Sequence, residues 1–179
     1  MSDGHHVGDE HGILRGRAWT FGDDISTDHI APGRLFHLRT DLPELAKHVL
    51  EDADPGFAAA MKPGDFVVAG RNFGLGSSRE HAPRIMRIAG VGAVLAQSFA
   101  RIFFRNAVNV GLPVLQCDTG GIQQGDELQV DLAGGEVRNV TRGTAVPFAP
   151  LPPVMVKILS EGGLVEHIRR HGGFELPEA

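Results

Sequence analysis

Between Phe66 and Gln116, three short apolar runs alternate with two amphipathic stretches, and this alternation leaves few folds open. The runs are Phe66 to Ala69, Ala93 to Ala96 and Val114 to Gln116. They are short and continuously apolar, as strands buried on both faces are. The intervening stretches predict helices over Ser78 to Ala89, stopped by Gly90, and over Phe99 to Asn109, stopped by Gly111. In the second, Phe99, Ile102, Phe103 and Ala107 are expected on one side. A β-α-β-α-β run implies parallel strands joined by right-handed crossovers, hence an α/β fold. Ligands on such sheets collect at the carboxyl ends of the strands, here Gly70 to Ser78 and Gln97-Ser98.

The flanking chain is read more coarsely. Arg15 to Phe21 predicts a short strand. Asp41 or Thr40 can cap a helix carrying Leu42, Leu45, Ala46, Val49 and Leu50, with Pro43 in its first turn. Phe57 to Met61 predicts a helical turn. Glu127 to Leu132 and Glu136 to Thr141 alternate about Gly134-Gly135, predicting an added β-hairpin. Val154 to Leu159 and Leu164 to Arg170 predict short helices. A length of 179 residues fits one domain, 13–179, behind a polar tail, 1–12, expected to be mobile. His5, His6 and His11 in that tail have no carboxylate or cysteine placed to complete a metal site.

Composition narrows the function. The lone Cys117 excludes an internal disulfide framework and an iron–sulfur cluster held by this chain alone. With no 18-residue apolar run and no signal-type N-terminus, neither membrane insertion nor secretion is expected, and the reading is a reducing, cytoplasmic compartment. A net charge of −5 and no tyrosine argue against a nucleic-acid partner.

The chemistry concentrates in Gly70-Arg71-Asn72-Phe73-Gly74-Leu75-Gly76-Ser77-Ser78-Arg79-Glu80-His81-Ala82. Gly74 and Gly76 allow close approach of backbone to ligand, a helix start offers N–H groups and a positive dipole end, and Arg79 adds a fork that matches a carboxylate. A dinucleotide fingerprint needs glycine where Arg79 stands, and a P-loop needs lysine where Gly76 stands. A small carboxylate is therefore the expected ligand. Ser77 has two readings on these residues: a cap, since Ser77-Ser78-Arg79-Glu80 fits a capping box, or a catalytic hydroxyl.

Three segments in order carry a resemblance. Val68 through Ala82 resembles the signature of the small subunits of 3-isopropylmalate dehydratase and homoaconitase, also found in the swivelling C-terminal domain of aconitases. Phe21-Gly22-Asp23-Asp24-Ile25-Ser26-Thr27-Asp28-His29-Ile30 is similar to the family's N-terminal motif, and Gln97 through Pro113 to its second helix. The likeness runs from about Arg15 to Gly163. It implies a swivelling β/β/α domain and an enzyme that moves a hydroxyl between neighbouring carbons by dehydration and rehydration. It also implies a [4Fe–4S] cluster on a separate large subunit, where it acts as Lewis acid on the departing hydroxyl.

In the resemblance Ser77 is the base that takes the carbon-bound proton, and Asp28 lies near the proton-transfer groups. Arg79 anchors a substrate carboxylate beside Gly76 and Ser78. Leu35-Phe36-His37-Leu38-Arg39-Thr40 occupies the place of the substrate-specificity loop, with Arg39 toward the substrate's variable side and His37 where tyrosine is common. The favoured substrate is 3-isopropylmalate, in leucine biosynthesis, with homoaconitase or another aconitase-like dehydratase as the alternative. A di- or tricarboxylate-binding module without chemistry is the reading from a different class. No metal is assigned to this chain.

Overall fold

A computed structural model describes residues 12–173; the expected tail and its histidines lie outside them. Seven strands form one sheet in the order β4-β3-β2-β1-β5-β6-β7. The strands β1 (Ile13–Thr20), β2 (Phe66–Ala69), β3 (Ala93–Ala96) and β4 (Val114–Gln116) pair in parallel, and the last three have the bounds read from the sequence. β5 (Glu127–Asp131) pairs antiparallel with the other edge of β1, followed by β6 (Glu136–Asn139) and β7 (Thr144–Pro147). The expected hairpin is thus two strands of a three-strand meander, joined through β1 to the parallel half.

The burial pattern explains the apolar runs. Val67, Ala69, Val94 and Ala96 face a core shared with Ile30, Leu45, Phe57, Ile85, Met86 and Phe103 from the helical side. Phe66, Val68, Ala93 and Leu95 face a second core shared with Leu128, Val130, Val137 and Phe148. The antiparallel half therefore covers the face that the helices leave bare, giving β/β/α layering, and neither face of β2 or β3 meets water.

The helices are α1 (Thr27–Ile30), α2 (Leu42–Ala46), α3 (Phe57–Ala60), α4 (His81–Ala89), α5 (Arg101–Asn109), α6 (Pro153–Ser160) and α7 (Leu164–His171). Gly33–Thr40 is a 3-10 stretch kinked at Leu35, with no fully buried residue. Asp41 caps α2 as read, accepting from the Glu44 N–H, but the helix ends early because Leu50 turns to φ 57° and donates its N–H to Ile30.

Two helix starts differ from expectation. α4 begins at His81 rather than Ser78. A start at Ser78 would place Pro83 in the second turn, where it lacks an N–H for the Arg79 carbonyl; the observed start puts it in the first turn, where proline is tolerated. α5 begins at Arg101 rather than Phe99, because Phe99 is extended in a bridge to Phe73. Ile102 is exposed, unlike Phe103 and Ala107: one residue from Phe103 is a 100° step, which carries it off the buried stripe.

Asp65 ties the parallel strands to the turn ahead of β2. Its buried carboxylate accepts from the Arg17 N–H at 3.0 Å, the Trp19 Nε1–H at 3.0 Å and the Lys62 N–H at 2.9 Å. Asp65→Ala leaves these three donors unpaired and is expected to lower unfolding free energy by about 3 kcal/mol. Urea denaturation checks this, and a loss below about 1 kcal/mol would contradict the assigned role.

Candidate active site

The two loops that leave β1 and β2 run side by side, as their strands do. Ala18 pairs with Phe66, and the same 48-residue offset continues outside the sheet. The Asp23 carboxylate accepts from the Arg71 N–H at 2.7 Å and from its guanidinium at 3.2 Å, and these bonds hold the Asp23 carboxyl below the usual carboxylate range. Asn72 Nδ2 donates to the Asp24 carboxylate at 3.0 Å. Beyond them the offset grows. It is 49 at the Ser26–Leu75 bridge, 50 where the Thr27 and Ser77 hydroxyls lie 3.4 Å apart, and 51 where Arg79 Nη2 meets Asp28 Oδ1 at 2.6 Å.

The extra length is taken up by backbone turned to positive φ at Asn72 (61°), Gly74 (81°) and Gly76 (112°). Gly74 is doubly required, since a Cβ there would lie 2.3 Å from the Phe103 ring; at Gly76 a Cβ would press on the Thr27 hydroxyl at 3.2 Å. Ser77 and Arg79 are thereby brought opposite the Thr27-Asp28 pair.

Ser77 stands on this loop, exposed, and not on the helix. The expected capping box is absent: Glu80 holds the cap position of α4 and no side chain caps it. Among the described residues, the N–H groups of Gly76, Ser77 and Ser78 meet no acceptor. The loop therefore carries, within four consecutive residues, a hydroxyl, three backbone N–H groups without an acceptor among the described residues, and an arginine.

Arg79 is mostly enclosed, with side-chain exposure of 21%. Its fork is engaged within the chain, by Asp28 through Nη2 and by the Ala31 carbonyl through Nη1 at 3.1 Å. The specificity loop comes to the same place. The Arg39 guanidinium lies 4.4 Å from the centroid of the exposed Phe36 ring and donates to the Phe36 carbonyl at 3.3 Å, while Arg79 lies 5.9 Å from that ring on its own account. A cation over an aromatic face is a favourable contact. His81 also faces Phe36, at 6.4 Å between centroids, and burial together with the charges of Arg79 and Arg39 holds its imidazole below the ordinary histidine range. The structure thus brings Ser77, Asp28, Arg79, Gly76, Phe36 and Arg39 together. Of the other expected residues, Ser78 is exposed beside Ser77, and Leu35, His37, Leu38 and Thr40 belong to the 3-10 stretch and make no hydrogen bond to Ser77. Ser98, at the second strand end, serves the loop by accepting from the Asn72 N–H at 2.8 Å. Sequence reasoning missed Thr27, buried and beside Ser77; its signal was its place next to Asp28 in the N-terminal motif.

Comparison with known proteins identifies what the chain is similar to as a whole. The aconitase C-terminal domain family matches residues 46–119. The 3-isopropylmalate dehydratase small subunit 2 of Archaeoglobus fulgidus is 64% identical over 161 residues, covering 90% of this chain and 98% of that protein. The methanogen homoaconitase small subunit of Methanothermobacter thermautotrophicus is 53% identical over 157 residues, covering 87% and 91%. A crystal structure of 3-isopropylmalate dehydratase from Methanocaldococcus jannaschii superposes with a TM-score of 0.83 at 41% identity, covering 89% of this chain and 95% of that one.

The cluster that the resemblance implies does not fit the donors of this chain. Cys117 is its single thiol, and burial, with the Asp118 charge beside it, pushes that thiol up to about 11. Labelling of the native chain by a disulfide reagent at pH 8 is expected to run about 100-fold slower than labelling of the urea-unfolded chain, because the thiolate is the reactive form. Equal rates would show Cys117 to be open and ionised.

Proposed function

The chain belongs to the family of 3-isopropylmalate dehydratase small subunits, and from that premise we propose how its residues serve that hydro-lyase reaction. The enzyme is a hydro-lyase of the aconitase type, and this chain is its small subunit. Its substrate is 3-isopropylmalate, which the enzyme isomerises by dehydration and rehydration for leucine biosynthesis. A small subunit implies a large one. That large subunit carries the [4Fe–4S] cluster in this reading, since one buried thiol cannot hold it; the cluster supplies Lewis acidity toward the departing hydroxyl.

Ser77 is the base that removes the carbon-bound proton. The observation that carries this is the position of its hydroxyl: on an open loop, 3.4 Å from the Thr27 hydroxyl, among three backbone N–H groups without protein acceptors and next to Arg79. An alkoxide is costly in water, and preorganised donors in a site closed to water lower that cost. In the free chain Ser77 is exposed, so closure has to come from the partner. Arg79, steadied by Asp28 and the Ala31 carbonyl, presents its charge to a substrate carboxylate beside Gly76 and Ser78. Asp28 is half exposed on the same side, where it can also orient a group of the large subunit.

Selectivity rests on residues 35–40. The exposed Phe36 ring offers an apolar wall for an isopropyl arm, and Arg39 offers a charge for a carboxylate arm. The likeness to a homoaconitase small subunit keeps the tricarboxylate alternative specific.

In the complex reconstituted with a cluster-loaded large subunit, Ser77→Ala is expected to lower kcat by about 10³-fold without loss of assembly; near-normal turnover would refute the base assignment. Arg79→Lys, which replaces a fork by a point charge, is expected to raise KM about tenfold. Arg39→Ala is expected to shift the ratio of kcat/KM toward isopropylmalate over tricarboxylates by about tenfold. A substrate panel reads that ratio directly, and an unchanged ratio would remove Arg39 from the selectivity account. The isolated chain is expected to show no turnover.

A further inference from the structure

The junction of α6 and α7 holds a cluster that the dehydratase chemistry does not use. After α6 the chain turns through Gly162-Gly163, and Glu161 folds back onto α7. Its carboxylate lies between two imidazoles: Oε2 is 2.5 Å from Nδ1 of His167, and Oε1 is 2.9 Å from Nε2 of His171. His167 and His171 are one helical turn apart, so their rings share a face, with centroids 4.8 Å apart.

Three features point to a cation rather than to a plain hydrogen-bonded turn. First, the carboxylate is mostly enclosed, at 16% side-chain exposure, and among the described residues no lysine or arginine pairs with it. A buried carboxylate is stabilised by a cation, and among the described residues its side-chain hydrogen-bond partners are the two imidazoles. Second, the His167 side chain has no exposure and its Nε2 has no hydrogen-bond partner, so nothing beyond the cluster fixes which nitrogen bears the proton. The Nδ1 lone pair can therefore be turned toward a metal. Third, the three candidate ligand atoms lie within 4.8 Å of one another. Around a four-coordinate zinc, ligand atoms at about 2.0–2.2 Å from the metal are roughly 3.3 Å apart, so the carboxylate–imidazole distances of 2.5 and 2.9 Å need to open by less than about 1 Å and the widest separation, within 4.8 Å, needs to close by less than about 1.5 Å. His171, the last residue of α7 and 23% exposed, is the most accessible of the three side chains.

We propose that Glu161, His167 and His171 bind a divalent transition cation of the zinc class, through one carboxylate oxygen, Nδ1 of His167 and Nε2 of His171, with water completing the shell. Two imidazoles and a carboxylate suit zinc and its neighbours, whereas magnesium and calcium prefer oxygen alone. The ion would staple α7 to the end of α6. The assignment does not depend on Ser77 or on the large subunit.

The test uses the full chain with His5→Ala, His6→Ala and His11→Ala, which removes the N-terminal imidazoles as competing ligands. After stripping with a chelator, calorimetric titration with Zn²⁺ is expected to give one site per chain and a higher unfolding temperature. His171→Ala and Glu161→Gln in the same background are each expected to weaken that site at least tenfold. No saturable binding in the parent, or unchanged binding in both variants, would overturn the proposal and leave a hydrogen-bonded clamp only. Where a variant does not fold, Co²⁺ titration of the parent decides. Intense four-coordinate visible bands reaching a plateau at one equivalent support the site, and the weak spectrum of the aqueous ion overturns it.

Discussion

The parallel pairing of β1 with β2 is the constraint on which the rest depends. It fixes a 48-residue offset between two segments far apart in sequence, and that offset persists through Asp23–Arg71 and Asn72–Asp24 after the sheet has ended. Backbone pairing alone would hold Thr27 and Asp28 opposite residues 75 and 76. Positive-φ residues in the second loop let it gain length on the first, so that Ser77 and Arg79 arrive there instead. The geometry of the site is thus the sheet's register plus a small correction made by glycine.

This dependence also explains the electrostatics. Arg79 and Asp28 would be an ordinary surface pair on a mobile loop, worth little to stability. Here the arginine is mostly enclosed and is held by the Ala31 carbonyl as well, so its charge has a fixed direction. The Phe36 ring is close to both that charge and the one on Arg39. An aromatic ring with two guanidiniums close by is a combination suited to a carboxylate and a hydrocarbon arm at once.

Much of this was legible in the sequence, for particular reasons. β2, β3 and β4 were readable because burial on both faces leaves continuous apolar runs. Asp28, Ser77 and Arg79 stood out because they fall in two motifs, but that the motifs meet depends on the pairing of β1 with β2. The start of α4 was misread because Ser77 to Glu80 satisfies a local capping pattern; Pro83 in the same stretch carried the contrary signal and prevails by steric necessity. β7 and the joining of the meander to β1 were not readable, since its exposed, short strand has no alternation and its place depends on long-range pairing. The Glu161–His171 contact likewise depends on a turn that folds ten residues of sequence into one cluster.

The 3-10 stretch Gly33–Thr40 lacks a fully buried residue and leans on the core only through the partly buried Leu35 and Leu38. Its outward residues can therefore be exchanged at little thermodynamic cost, while Ser77 and Arg79 remain locked to the sheet. Under the proposed roles, such a division favours evolutionary drift at residues 35–40 with the Ser77–Arg79 loop held constant. One scaffold can then give rise to paralogues acting on different hydroxy acids, without a folding crisis on the path between them.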